Sequence, residues 1–113
     1  MDLQEIVERL SLEVKTPELD LKRDVTGGYV SDLLSDVIGN THQGNVWITL
    51  QIHLNIVAVA TLKELSGIIL VNNRKPDADT LKRAVAENIP IMTSSLPTFE
   101  LVGRLYALGL RCR

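Results

Sequence analysis

At 113 residues the chain has room for one domain around one hydrophobic core. Hydrophobic residues make up 45% of it and aromatics only 4%, so that core must be built from Leu, Ile, Val and Ala. Charged residues make up 23% with a net charge of −2, which excludes a general nucleic-acid or anionic-membrane binder, since either would carry a basic surplus.

The first segment, "MDLQEIVERL", spaces Leu3, Ile6, Val7 and Leu10 at helical intervals and predicts a short amphipathic helix. It is acidic and has no apolar run, so no secretory signal is expected. "LEVK" reads as a brief strand before Pro17, and "ELDLKR" fits no single element. "DVTGGYV" is the next extended stretch: Val25, Thr26, Tyr29 and Val30 favour strand, while Gly27 and Gly28 mark a bulge or a close backbone approach. Ser31 is then expected to cap a helix with Asp32 in its first turn, Leu33, Leu34, Val37 and Ile38 on its buried face, and Gly39-Asn40 as a left-handed end.

"NVWITLQIHLNIVAVATLKEL" begins with near-alternation and continues with helical spacing. The strand-to-helix switch is placed near Gln51 to His53, because one strand over the whole alternating part would be unusually long. "SGIILVNN" and "IPIMTSS" are continuous apolar runs of strand length, as expected for strands covered on both faces. Between them Pro76 and Asp77 open a helix with a core stripe of Leu81, Ala84, Val85 and Ile89. The last helix starts at Pro97, stops at Gly109, and is expected to bury Phe99, Val102, Leu105 and Tyr106. Strand and helix alternate from Val25 onward. The expected fold is therefore a three-layer α/β/α domain, residues 1–113, with a mainly parallel sheet and right-handed crossovers.

In such a sheet ligands bind outside the carboxyl ends of the strands. Those ends are read as Gly27, Gly28 and Tyr29; Thr49, Gln51 and His53; Asn72, Asn73 and Arg74; and Thr93, Ser94 and Ser95. All are polar or glycine-rich, and each leads into a helix N-terminus that attracts anions. Thr49, Gln51, His53, Asn72 and Thr93 are the candidate ligand-binding residues, although helix caps alone would also make such turns polar. Neither a P-loop nor a spaced-glycine dinucleotide pattern accompanies the Gly27-Gly28 pair, so the glycines read as a packing feature. Gly27, Gly28 and Tyr29 are the candidate interface of a homodimer, in which glycine lets backbones approach and tyrosine supplies buried area.

His53 reads as a capping or hydrogen-bonding group before an acid–base one, and Trp47 as a core residue or interface anchor. No metal-ligand spacing, nucleophile motif or cofactor signature is present, so no catalytic residue and no cofactor are expected. Cys112 stands alone, which fits a reducing cytoplasm.

"DVTGGYVSDLLSDVIGN" together with the segments from Gly44 to Asn73 and from Ile89 to Leu110 resembles the DRTGG domain family, with Val25 standing where the family motif has arginine. A more distant resemblance runs to the amino-terminal domain of HPr kinase/phosphorylase and to the amino-terminal region of phosphate acetyltransferases. The resemblance implies a non-catalytic regulatory or dimerising module that takes a nucleotide or phosphorylated metabolite. A purely structural interaction module is the alternative. An HPr-kinase-related enzyme is a third, and it lacks the phosphate loop that kinase chemistry needs.

Overall fold

The computed structural model describes all 113 residues. In chain order the elements are α1 (Leu3–Leu10), β1 (Glu13–Val14), β2 (Gly27–Val30), α2 (Leu34–Asn40), β3 (Asn45–Thr49), α3 (Asn55–Leu62), β4 (Gly67–Leu70), α4 (Ala78–Glu87), β5 (Ile91–Thr93) and α5 (Thr98–Ala107). The five strands form one sheet in the order β1-β5-β4-β3-β2. β2 through β5 are parallel, and β1 closes the other edge antiparallel to β5, with Glu13 beside Thr93. This is the three-layer, mainly parallel architecture that the alternating pattern predicts.

Alternate residues of each strand feed two separate cores. Val46, Ile48, Ile69, Val71 and Met92 pack with α1 and α5 through Leu3, Ile6, Leu101 and Leu105. Trp47, Ile68, Leu70 and Ile91 pack on the opposite face with Val37 of α2, Ile56, Val57 and Ala60 of α3, and Ala84 of α4. The three crossover helices therefore share one face, while the first and last helices cover the other. Trp47 is fully buried, and its indole N–H donates to the Ser31 carbonyl at 2.8 Å. That bond removes the usual objection to burying an indole.

β3 stops at Thr49 and α3 starts at Asn55, which places the switch where the pattern puts it. Helix ends are less faithful to the sequence. α2 begins only at Leu34, and the Ser31 hydroxyl accepts from the Leu33 N–H in a turn rather than capping the helix. Leu33 and Ile38 face solvent, and Val37 alone of the expected stripe is fully buried. Gly39 and Asn40 are helical, and Thr41 ends the helix in extended conformation. The left-handed glycine lies at Gly44 instead, with φ 84°, where a Cβ would come within 2.7 Å of the Thr26 methyl.

α5 ends at Ala107, and the expected stop glycine, Gly109, follows two residues later with φ 106°. It is rolled, however, so that Leu101 and Leu105 face the sheet while Phe99 (86% exposed) and Tyr106 (57% exposed) point outward. Two apolar stripes run along this helix, and Leu101 and Leu105, at i, i+4, pack in the core with Val46, Ile48 and Ile69.

Candidate functional site

The "DVTGG" segment lies at the opposite edge of the sheet from the expected ligand ends. Gly27, Gly28 and Tyr29 are the first three residues of β2, not its carboxyl end, which is followed by Ser31 and Asp32. Each residue of the segment is engaged within the chain. The Asp24 carbonyl accepts from the Ser66 hydroxyl at 2.7 Å. Val25 is buried in the core beneath α1 and α5. The Thr26 hydroxyl donates to the Gln43 carbonyl and accepts from the Asn45 amide. A Cβ on Gly27 would stand 2.6 Å from the Arg111 carbonyl oxygen, and the Gly28 N–H donates to that same oxygen at 3.0 Å. The absence of a side chain at Gly27 thus lets the C-terminal segment lie against the edge strand. At Gly28 a Cβ would meet only ordinary contacts with Leu110 and Val46.

Tyr29 points to the other face, where its hydroxyl donates to Asp36 at 2.8 Å. The bond to Asp36 first, then partial burial and the charge of Asp36, push the Tyr29 phenol above its ordinary pKa. The same bond, with further bonds from Ser31 and Asn40, holds Asp36 below the ordinary carboxylate range.

At the carboxyl ends the polar residues divide into two groups. Around β3 they are consumed by one another. Asp32 accepts from the Thr49 hydroxyl at 2.8 Å and from the Leu50 N–H at 2.7 Å. The Gln51 amide donates to the Asp32 carbonyl, and the Gln51 N–H donates to the Thr49 hydroxyl. His53 pairs with Asp77 at 2.7 Å on the surface, tying the start of α3 to the start of α4. Asp32 is a participant that sequence reasoning assigned to a helix turn; its partners lie 17 and 18 residues on, too far for spacing to reveal.

The ends of β4 and β5 are arranged differently. α4 leaves β4 for one face of the sheet and α5 leaves β5 for the other, so the two connections diverge. Divergence of this kind opens the crevice in which α/β sheets take ligands. Asn72 and Asn73 both adopt left-handed backbone, with φ 61° and 57°, which asparagine tolerates better than most residues. Their N–H groups donate across the crevice to the Leu96 and Ser94 carbonyls at 2.9 and 3.0 Å. Beside them lies a polar cleft of about 350 Å³ lined by Arg9, Ser11, Glu13, Asn73, Thr93, Ser94, Ser95 and Arg104, with Leu10 and Leu96. Of the five candidate ligand residues, Thr93 is thus the one that lines a cleft, and Asn72 stands beside it.

A second, apolar cleft of about 280 Å³ lies between β2 and α5. It is lined by Gly28, Val30, Ile48, Val102, Leu105 and Tyr106 together with the C-terminal residues. No group of three His, Cys, Asp or Glu side chains is placed to hold a metal ion. No helix is long and apolar enough to cross a membrane.

The fold is similar to a solved structure of the CBS and DRTGG domains of the regulatory region of Clostridium perfringens pyrophosphatase, determined with its activator, diadenosine tetraphosphate. The TM-score is 0.68 at 17% sequence identity, over 97% of this chain and 47% of the other. The chain therefore spans about half the length of that structure. The likeness shows the fold. No family model matches the sequence, and no curated protein matches it.

Proposed function

We propose that this is a DRTGG-type regulatory domain, non-catalytic, that senses a nucleotide or phosphorylated metabolite at the carboxyl ends of its parallel strands and self-associates. The observation that carries the reading is the open polar cleft at the carboxyl end of β5, beside the β4/β5 crevice, set in a fold shared with a nucleotide-activated regulatory region. Every polar side chain named at the β3 end has an internal partner, so Thr49, Gln51 and His53 would act by shaping the ligand end while Asn72 and Thr93 stand nearest the ligand.

The test is a thermal-shift screen of the purified chain against nucleotides, diadenosine polyphosphates and sugar phosphates. A ligand at about 100 times its Kd stabilises the native state by about 2.7 kcal/mol and raises Tm accordingly. A flat response across the whole panel refutes ligand sensing and leaves the second reading, a dimerisation module.

Self-association is supported by the apolar cleft beside Gly28 and by the outward stripe of Phe99, Val102 and Tyr106, next to half-exposed Val30 on the edge strand. A twofold dimer would cover this face with its own copy. Gly27, Gly28 and Tyr29 would border the interface rather than fill it. Gly28→Val thrusts two methyls into the cleft and is expected to weaken a dimer by about 1–3 kcal/mol. Analytical ultracentrifugation decides: a wild-type chain that is monomeric at micromolar concentration sinks self-association.

A further inference from the structure

We infer that the cleft at the carboxyl end of β5 is an anion site built for the phosphoryl group of a small phosphate monoester, with Arg9 and Arg104 as its charge clamp. This rests on the ligand-sensing reading above and narrows it to one place and one chemistry.

Arg9 sits in the last turn of α1 and Arg104 in that of α5, and both line the cleft. Neither guanidinium forms a salt bridge or a hydrogen bond within the protein. Glu5 and Glu100 stand one helical turn before them, yet neither carboxylate comes within salt-bridge range. The one acid lining the cleft, Glu13, is held by Lys15 at 2.7 Å. Two unpaired guanidiniums against one ion-paired carboxylate give the cleft a surplus of positive side-chain charge in a chain whose net charge is −2, set against the carboxyl end of α1 at Leu10 and Ser11. Guanidinium groups match phosphate oxygens in geometry and form short, charge-assisted bonds with them.

The hydroxyls give an independent indication. Thr93 is only 8% exposed and its hydroxyl has no protein partner, whereas no fully buried polar side-chain atom in the molecule lacks one. The Thr93 hydroxyl therefore meets solvent from within a nearly buried residue on the cleft wall. Ser95 and the Asn73 side chain also line the cleft without internal partners. Size selects the ligand class. About 350 Å³ is at the lower limit for small-molecule sites, enough for a phosphoryl group and a modest substituent and too little for a whole dinucleotide.

The experiment is an amide-shift titration of the ¹⁵N-labelled full chain with inorganic phosphate, ribose 5-phosphate and AMP at constant ionic strength. Saturable shifts are expected at Asn73, Ser94, Ser95 and Arg104, which line the cleft, with the Thr49 to His53 amides still. Arg9→Gln with Arg104→Gln should lower affinity by about tenfold or more, while Arg83→Gln on α4 leaves it unchanged. The variant's own amide spectrum reports whether it is folded. Saturable shifts that map elsewhere, or binding that survives the double substitution in a folded protein, overturn this placement while leaving ligand sensing intact. Absence of any saturable shift, together with a flat thermal screen, overturns both.

Discussion

The carboxyl ends of β3 and β5 are made of the same kinds of residue and do opposite things. Around β3, Thr49, Leu50 and Gln51 all find partners on the short loop after β2, chiefly through Asp32. At β5, Thr93, Ser95 and Asn73 find none, and two arginines beside them are equally free. The first end uses polar groups to close a gap between neighbouring strand loops. The second lies where the helices part to opposite faces; there the neighbouring β4 loop is tied in through the Asn72 and Asn73 backbone N–H groups, which leaves the Thr93 and Ser95 hydroxyls without protein partners. Of the two polar ends, only the β5 end keeps hydroxyls free for a ligand.

The strongest way to break this contrast is at Asp32. Asp32→Ala takes an ionised acceptor from the Thr49 hydroxyl, whose residue is 1% exposed, and from the Leu50 N–H. Hydrogen bonds to charged groups are the stronger kind, and a stranded buried donor adds its desolvation cost, so a loss of about 2–3 kcal/mol is expected. Urea denaturation would register it as a lower midpoint at unchanged slope. A midpoint within error of wild type means that the β3 end is not held together by this carboxylate.

A matched pair of substitutions sharpens the comparison at smaller amplitude. Thr49→Val keeps shape but removes the donor to Asp32 and the acceptor of the Gln51 N–H, and should cost about 1–2 kcal/mol. Thr93→Val removes a hydroxyl with no protein partner and should stay within about 0.5 kcal/mol. Equal losses at the two positions would show that the β5 hydroxyl is engaged after all. The distinction between the two ends would then fail.

Sequence periodicity carried the architecture because each element buries the faces its neighbours cover: β3, β4 and β5 are covered on both faces and read as apolar runs, while α1 shows 3.6-residue spacing. It carried the sites less well. The carboxyl-end rule pointed to both strand ends, but which one is closed depends on Asp32 reaching across to Thr49, a contact no local pattern encodes. The two apolar stripes of α5 are equally good helical faces, and only the position of the sheet beneath selects Leu101 and Leu105 over Phe99 and Tyr106. The antiparallel edge strand β1 was visible as a strand, yet its place beside β5 is set by Thr16 and Lys15 bonding to Ile91, again a long-range matter.

Away from both strand ends, Tyr29 of β2 and Asp36 of α2 form a bonded pair whose pH response gives the smallest effect. Tyr29 donates to Asp36, which lowers the carboxyl's folded pKa and raises the phenol's. A lowered carboxyl contributes stability that is present above its unfolded value near pH 3.9 and is lost as pH falls through the folded one. A raised phenol contributes stability that is complete below its unfolded value near pH 10 and is lost as pH rises through the folded one. Tyr29→Phe removes the phenol's contribution outright and part of the carboxyl's, since Ser31 and Asn40 still bond Asp36. The curve of Tm against pH should therefore fall slightly between these limits and lose some of its descent at both extremes. Tyr106→Phe is the control, because that hydroxyl makes no hydrogen bond within the protein and lies on the open side of the molecule. Identical curves for Tyr29→Phe and Tyr106→Phe would mean that the Tyr29–Asp36 bond contributes nothing to the fold.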